Sequence, residues 1–181
     1  SVVKETTCYK THIALKELQL FVEQFGKGAK DKRLTETIFD LPCELLKSFL
    51  EGYVSADGCF TNNKYKISTI SKELAYGIVQ CVAKVYKTPC SLCKTKRKPQ
   101  TVIQGRTVNQ NDDYQVFWKA KASKQDKAFY ENGYIWFPIQ SIVSTNAYEE
   151  VYDIEVEDDH SFTANNTIVH NCQDLSVAGK Q

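Results

Sequence analysis

The chain has 181 residues with no methionine, three histidines and four prolines. No apolar run approaches the roughly 18 residues that a membrane-spanning helix needs, and no signal-peptide pattern opens the sequence. The seven cysteines are odd in number and too sparse for a disulfide scaffold, so we expect reduced thiols. These absences argue against a membrane protein or a small disulfide-stapled one. They predict a cytoplasmic protein with no membrane partner.

The net charge of +1 hides two segments of opposite sign. Residues 91–124 contain eight lysines and arginines against two aspartates, whereas residues 144–160 contain seven acidic residues and no lysine or arginine. Segments this different predict two domains with different partners. Charge alone leaves open the alternative that each segment is simply a solvated face.

Apolar periodicity predicts helices in the middle of the chain and strands at both ends. DLPCELLKSFLEGYVSADG predicts a helix with Asp40 as its N-cap, and SKELAYGIVQCVAKVYK predicts a second helix capped by Ser71. Hairpins are expected around NQNDD and around the Asn-Asn pair of SFTANNTIVH. Further strands are expected in the first 18 residues and in NKYKISTI, YIWFPIQSIV and EVYDIEV. This order predicts one domain inserted into a β-rich domain whose shared sheet brings Ser1 near His170.

The segment EVYDIEVEDDHSFTANNTIVHNC carries the strongest chemical pattern. The side-chain amide of an asparagine can attack its own carbonyl, which forms a succinimide and breaks the following peptide bond. That reaction needs a general base and a donor for the developing oxyanion, and histidines suit both tasks. Here His170 precedes Asn171, His160 reaches it across the predicted hairpin, Asp153 can orient a histidine or tune a thiol, and Cys172 supplies a thiolate. Taken singly, each residue also has an ordinary structural explanation, such as a turn cap or an edge pair.

VYDIEVEDDHSFTANN followed by IVHNC resembles the carboxyl-terminal splicing blocks of an intein. The resemblance implies that Asn171 cyclises with the help of His170, that Asp153 and His160 are the block's Asp and His, and that Cys172 is the first residue of the host. It also implies a mainly β, horseshoe-shaped Hedgehog/intein fold and autocatalytic protein splicing, which needs no cofactor. Residues 172–181, CQDLSVAGKQ, resemble the motif around the catalytic cysteine of DNA cytosine-5 methyltransferases, so the flanking host sequence, or extein, is expected to be such an enzyme.

The amino terminus matches the intein pattern less completely. Ser1 followed by Glu5-Thr6 resembles the opening block, which implies that Ser1 carries the first acyl shift; whether Ser1 replaces a cysteine stays open. The expected Thr-x-x-His block is not found, because His12 is preceded by Tyr9 at the threonine position. Three explanations stay open. The sequence lacks a segment, a separate amino-terminal intein fragment supplies the block, or His12 acts in place of the block's histidine.

FLEGYVSADGCF, in the middle of the chain, resembles the LAGLIDADG motif of homing endonucleases. Gly52 and Ala56 allow two such helices to pack closely, and Asp57 at the helix end matches the carboxylate that holds Mg²⁺ against a phosphodiester. Ser55 departs from the motif at its first acidic position. The motif occurs once, so two carboxylates require a homodimer. Double-stranded DNA is then expected to contact the basic strands, through Lys94, Lys96, Arg97, Lys98 and Arg106, with Tyr114, Phe117 and Trp118 interleaved.

The sequence therefore predicts a splicing domain in residues 1–32 and 130–171, a LAGLIDADG endonuclease-like α+β insertion in residues 33–129, and host residues 172–181. We expect a self-catalytic, single-turnover chain whose endonuclease domain is a folded but degenerate remnant. The alternative is a homing endonuclease that acts as a homodimer with Mg²⁺. Cys90 and Cys93 of CSLC form half a zinc site at most and are interpreted as ordinary thiols.

Overall fold

The computed structural model describes residues 2–4, 9–121, 123, 126–144, 154–164 and 166–170. Among them, no helix has the length and apolar content to cross a membrane. The elements in chain order are β1 (Val2–Lys4), β2 (Tyr9–Thr11), α1 (Lys16–Glu23), α2 (Glu36–Phe39), α3 (Cys43–Asp57), β3 (Gly58–Thr61), β4 (Lys64–Thr69), α4 (Lys72–Tyr86), β5 (Cys90–Thr95), β6 (Gln100–Ile103), β7 (Arg106–Asn109), β8 (Asp113–Lys119), β9 (Phe129–Glu131), β10 (Tyr134–Trp136), β11 (Ser161–Ala164) and β12 (Thr167–His170).

The strands form one four-stranded antiparallel sheet and four separate hairpins. The sheet has the order β3-β4-β8-β5, and the hairpins are β1-β2, β6-β7, β9-β10 and β11-β12. The described chain is thus a mixed α/β structure with several small sheets. The mainly β horseshoe expected around the α+β insertion is not seen in the described residues. In the described residues β1 pairs with β2 and β12 pairs with β11, so the predicted shared sheet of the two ends is not seen there.

Helix α3 confirms the predicted helix but begins later than expected. Its apolar spacing buries Leu46 and Leu50 completely against the core. The predicted cap was wrong, because Asp40 ends the short helix α2 and Pro42 is the residue before the first turn of α3. Proline suits that position because the first turn of a helix leaves its N–H groups without intrahelical partners.

Helix α4 confirms the second predicted helix together with its cap. The Ser71 hydroxyl oxygen accepts a hydrogen bond from the Leu74 N–H at 3.1 Å, and its O–H donates to the carbonyl of Lys32. Ser71 is itself buried, so both bonds compensate for its removal from water. The apolar face of the helix, including Leu74, Ile78 and Val82, lies in the core.

The core lies between these two helices and one face of the four-stranded sheet. The buried sheet residues are Ile67 of β4 with Val116 and Trp118 of β8, and the ring of Tyr65 stacks on Trp118 with centroids 5.2 Å apart. In the register, Ile67 lies opposite Val116 and Tyr65 opposite Trp118, so alternate residues of both strands face the helices.

Several turns and one helix differ from the sequence-based predictions. The predicted NQNDD hairpin was wrong: β6 and β7 turn at Gln104-Gly105, where φ is 50° and 76°, and β8 pairs with β4 and β5 instead. The predicted strand YIWFPIQSIV ends at Trp136, and its first part is a hairpin arm after the turn Asn132-Gly133. Both turns are an X-Gly pair with positive φ, the signal for a tight hairpin. Helix α1 was not predicted.

Gly58 lets the end of α3 approach the sheet. A Cβ atom at this position would lie 2.9 Å from the Lys66 carbonyl oxygen and 2.9 Å from the Val54 Cα atom. Both are backbone atoms that cannot move aside without shifting an element. By contrast, a Cβ atom at Gly52 would meet no atom within 4 Å.

An ion pair between Arg97 and Asp113 lies at the start of β8. The Arg97 guanidinium donates to both carboxylate oxygens of Asp113, with Nε 2.6 Å from Oδ1 and Nη2 3.2 Å from Oδ2. The residue Asp113 is only 7% exposed. The hydrogen bonds from Arg97 lower the pKa of the Asp113 carboxyl, although its partial burial acts in the opposite direction.

Gly58→Ala should lower the free energy of unfolding by about 1–3 kcal/mol, because the added methyl group overpacks a backbone contact. The matched control Gly52→Ala should raise it by about 0.5–1 kcal/mol, because alanine is the better helix former and space is open there. Urea unfolding of both variants measures the difference. Equal effects at the two glycines would contradict the close approach at Gly58.

Asp113→Asn should lower the free energy of unfolding at pH 7 by about 1–2 kcal/mol, a range reduced for the half-exposed Arg97. Because folding depresses the pKa of Asp113, this stabilisation is present above the ordinary carboxyl pKa of about 3.9 and is lost as the pH falls through the folded value. The gap between wild type and variant should therefore be constant above about pH 5 and shrink below about pH 4. Unfolding measured from pH 3 to pH 7 tests this, and a gap that persists at pH 3 would refute it.

Candidate functional site

The β11–β12 hairpin brings together two of the predicted splicing residues. Ser161 lies opposite His170 in the register, and His160 immediately precedes that pair. The imidazole rings of His160 and His170 have centroids 6.0 Å apart and planes inclined by 50°. Both residues are exposed, so either ring is accessible from solvent. The structure thus places two histidines side by side at the end of the strand that leads into Asn171.

A tight turn before β11 orients His160 toward His170. Asp158 and His160 have φ values of 67° and 52°, in the left-handed region, and the Asp159 carboxylate accepts a hydrogen bond from the Ser161 N–H at 3.1 Å. A side chain that bonds to the backbone two residues later stabilises such a turn. Asp159 therefore has a local role in shaping the entry to β11.

The hairpin turn itself was predicted from the Asn-Asn pair and is confirmed. Ala164 pairs with Thr167, and Asn166 has a φ of 63°. The other predicted splicing residues, Ser1, Asp153, Asn171 and Cys172, lie outside the residues that the structure describes. Chemically, the visible part of the site can hold a proton on either of two neighbouring imidazoles.

The second candidate site lies at the carboxyl end of α3. Asp57 is the last residue of the helix and is exposed, as are Ala56 directly before it and Gly52 more than one turn earlier. Leu45 is 54% exposed, so the face predicted for close helix packing is open to a partner. Burial, and to a lesser extent the charge of Asp57, raises the pKa of the Tyr53 hydroxyl.

Binding of a divalent metal ion needs more carboxylates than one copy of this site supplies. In the described ranges, no group of three or more His, Cys, Asp or Glu side chains lies close enough together to hold a metal ion. Asp57 supplies oxygen ligands of the type that Mg²⁺ prefers, but it is a single carboxylate. A Mg²⁺ site of the predicted kind therefore fits only if a second copy contributes its own Asp57.

Two of the five cations predicted to contact DNA are engaged by carboxylates. Arg97 binds Asp113 as described above, and the Lys94 ammonium lies 3.4 Å from the Asp112 carboxylate. Lys96, Lys98 and Arg106 are exposed, the first two after β5 and the third at the start of β7.

Of the three aromatic residues expected to contact DNA, Phe117 lies on the sheet face opposite the helices, whereas Tyr114 and Trp118 pack in the core. The sequence reasoning missed the residues that surround Phe117 on this face. Lys66 and Ser68 of β4 alternate with the buried residues, and they lie opposite Phe117 and Gln115 of β8. The Lys66 ammonium lies 5.3 Å from the centroid of the Phe117 ring. Strict alternation along both strands was the available signal. A cation, an aromatic ring, a hydroxyl group and a side-chain amide on one sheet surface can contact a polyanion.

The thiols of Cys90 and Cys93 do not form a joint ligand pair. They are three residues apart on β5, so they point to opposite faces of the sheet, opposite Trp118 and Gln115 respectively. Burial raises the pKa of the Cys90 thiol to about 12, which keeps it protonated. Two ordinary thiols, as predicted, account for this motif.

Comparison with known proteins supports the α3 site most directly. Residues 44–117 match the family described as LAGLIDADG-like domain. Iron-sulfur cluster assembly SufBD family proteins of Mycobacterium bovis and Mycobacterium tuberculosis are each 27% identical over 154 residues, which cover 83% of this chain and 18% of the relative. A DNA polymerase of Thermococcus litoralis is 22% identical over 184 residues, 88% of this chain and 11% of the polymerase.

The chain thus spans less than a fifth of the length of each of these relatives. The matched segment contains the four-stranded sheet and its two helices, and none of these elements extends more than two residues outside it. They are α3, β3, β4, α4, β5 and β8. Residues 44–117 are therefore assigned to a LAGLIDADG-like domain, and this assignment supports a homing-endonuclease-like or intein-type insertion.

Proposed function

We propose that this chain is an intein that removes itself from a host protein by autocatalytic splicing. The observation that carries the proposal is the pairing of Ser161 with His170, which holds the His160 and His170 rings 6.0 Å apart at the end of the strand that precedes Asn171 in the sequence. Two imidazoles at this place supply a proton acceptor and a proton donor for the attack of an asparagine amide. The remaining splicing domain is proposed to have the Hedgehog/intein fold.

The proposed reaction proceeds in four steps without a cofactor. The Ser1 hydroxyl attacks the preceding host carbonyl, and the acyl group moves from nitrogen to oxygen. The Cys172 thiolate then attacks this ester, which forms a thioester and frees the Ser1 hydroxyl. Next, the Asn171 amide nitrogen attacks the Asn171 carbonyl; a succinimide forms, the bond to Cys172 breaks, and the Cys172 amino group takes up a proton. That amino group finally attacks the thioester, so that an amide joins the two host segments.

The histidines and Asp153 have distinct proposed tasks. His170 donates a hydrogen bond to the developing oxyanion or the leaving amine of Asn171, and His160 exchanges a proton at the same bond. Asp153 orients one imidazole or tunes the Cys172 thiol. The host is proposed to be a DNA cytosine-5 methyltransferase, from the sequence of residues 172–181.

The relatives support an inserted element. Two of the relatives reported above are named for iron–sulfur cluster assembly and one is a DNA polymerase, yet each matches more than four-fifths of this chain over a small part of its own length. A domain that performed iron–sulfur cluster assembly or DNA synthesis would not be expected in both kinds of protein. It fits an element carried within unrelated hosts.

Helix α1 supports a larger splicing domain than the described residues form. The helix buries none of its residues, and Leu20, Phe21 and Val22 are each about half exposed. A cluster of exposed apolar side chains is typical of a surface that contacts another part of a protein. We propose that the rest of the splicing domain covers it, either within one chain or as a separate amino-terminal intein fragment that also supplies the Thr-x-x-His block.

His170→Ala and His160→Ala should each slow cleavage of the Asn171–Cys172 bond by about 10²–10⁴-fold, the usual contribution of a general acid or base. Asn171→Ala should abolish it, since no amide remains to attack. Thr163→Ala, an exposed position on the same hairpin, is the matched control and should cleave at the wild-type rate. The rate of release of residues 172–181 measures all four. Wild-type rates in both histidine variants would exclude the proposed roles.

A homing endonuclease that acts as a homodimer is the second candidate function. The open face of α3 favours it: a Cβ atom at Gly52 meets nothing within 4 Å, and the helix leads directly to Asp57. Domains of this family typically bind DNA and dimerise. Pairing of two α3 helices would bring two Asp57 carboxylates together, which would hold Mg²⁺, and Mg²⁺ supplies an activated water for phosphodiester cleavage. The basic residues of segment 91–124 and the sheet face that carries Lys66 and Phe117 would contact double-stranded DNA.

Gly52→Arg should convert a dimer into a monomer, because a long charged side chain blocks close approach of the two helices. Asp57→Asn should leave the dimer intact but abolish Mg²⁺-dependent DNA cleavage. Sedimentation velocity gives the oligomeric state, and nicking of plasmid DNA gives the activity. If the wild-type chain is monomeric at all concentrations and does not nick DNA, the endonuclease domain is a folded but degenerate remnant.

A further inference from the structure

Helix α4 of the LAGLIDADG-like domain holds the turn of the β11–β12 hairpin. The Asn166 side-chain amide donates from Nδ2 to the Tyr76 carbonyl at 3.1 Å. Its Oδ1 accepts from the Gln80 amide Nε2 at 2.5 Å. Tyr76 and Gln80 are one helical turn apart, and both are about 90 residues from Asn166 in the sequence. We call this arrangement the amide clamp.

The choice of asparagine at this turn has two separate reasons. A φ of 63° is in the left-handed region, which glycine and asparagine enter most readily. Glycine would satisfy the backbone at lower steric cost but has no amide. Only asparagine combines this backbone conformation with a donor and an acceptor that meet α4 at the same time.

Among the described residues, the apolar side chains of the hairpin and of α4 beside the clamp line a groove and do not close over each other. A groove of about 800 Å³ lies there, lined by Val79 and Ala83 of α4, Ile135 of β10 and Ile168 of β12, among others. Ile168 is 55% exposed. Within the described part of the chain, the hydrogen bonds that join the hairpin to the helix are therefore those at its turn.

The clamp and the histidine pair lie at opposite ends of one small sheet. The register runs from Ala164 opposite Thr167 at the turn to Ser161 opposite His170 at the open end, a span of about 10 Å at about 3.3 Å per residue. A two-stranded hairpin alone is marginally stable in water. Fixing its turn reduces fraying, and the pairing that holds His160 beside His170 then persists.

We propose that Asn166 is a positioning residue for the histidine pair, and that α4 of the LAGLIDADG-like domain is the scaffold that orders the splicing hairpin. The proposal rests on the proposed splicing function for its consequence, but the clamp itself can be tested without any reaction. It gives the inserted domain a task that is independent of DNA cleavage.

The test follows hydrogen exchange of the full chain carrying Asn171→Ala, so that no cleavage occurs during the measurement. Asn166→Gly keeps the turn conformation and removes the clamp, and Gln80→Ala removes one bond from an exposed helix position. Each should accelerate exchange at the β11–β12 amides by about fivefold to thirtyfold, with α3 and the four-stranded sheet unchanged. The double variant should exchange no faster than Asn166→Gly alone. Glu73→Gln, also exposed on α4, is the control and should exchange as wild type.

Gln80→Glu adds a pH-dependent readout that a general loss of stability would not produce. A carboxylate cannot donate to Asn166, and a reversed amide would point its oxygen at the Tyr76 carbonyl. At pH 7 this variant should exchange like Gln80→Ala. Below the ordinary glutamate pKa of about 4.3 the neutral carboxyl can donate, and protection corrected for intrinsic exchange should return to the wild-type level.

Two outcomes would overturn the proposal. Unchanged hairpin exchange in Asn166→Gly and Gln80→Ala would show that the clamp orders nothing. If exchange rises but Asn166→Gly in the native Asn171 chain releases residues 172–181 at the wild-type rate, then the clamp does not position the histidines. A wild-type chain that never cleaves would contradict the splicing function instead, and the exchange experiment would still decide the clamp.

Discussion

Burial of one face of the β3-β4-β8-β5 sheet under α3 and α4 is the constraint on which the described structure depends. Leu46 and Leu50 from one helix, Ile78 and Val82 from the other, and Ile67 and Val116 from the sheet are almost inaccessible to solvent. This packing leaves three surfaces outward: the α3 face before Asp57, the polar sheet face, and the side of α4 that meets the hairpin. DNA cleavage would use the first two surfaces and splicing the third, so the geometry of both candidate activities is set by the same core.

The two candidate activities make opposite demands on the inserted domain. DNA cleavage requires a second copy, because one chain contributes a single Asp57 at the helix end. Splicing requires no partner copy, but it requires the histidine hairpin to be ordered. The amide clamp connects the domain to that second demand, so a domain that no longer cleaves DNA can still be retained for the support that α4 gives to the hairpin.

Local patterns carried most of what the sequence could predict. The Ser71 cap, the apolar faces of both helices and the Asn-Asn hairpin follow from contacts within a few residues, and the hairpin alone places His160 near His170. Asp40 was misjudged because α2 uses it as its end, and the Gln104-Gly105 turn was overlooked beside the more polar NQNDD. The Gln80–Asn166 contact joins residues 86 apart and depends on tertiary packing, so no sequence pattern announces it.

The mass of the intact chain after incubation at neutral pH tests the splicing account most directly. The account predicts loss of residues 172–181 and a remaining fragment of residues 1–171 that is lighter than its free acid by one water molecule, which marks the succinimide. A fragment with the mass of the free acid from the earliest time points would indicate hydrolysis by another route. A chain that keeps its full mass, even when a fragment supplying the amino-terminal block is added, would contradict the central claim.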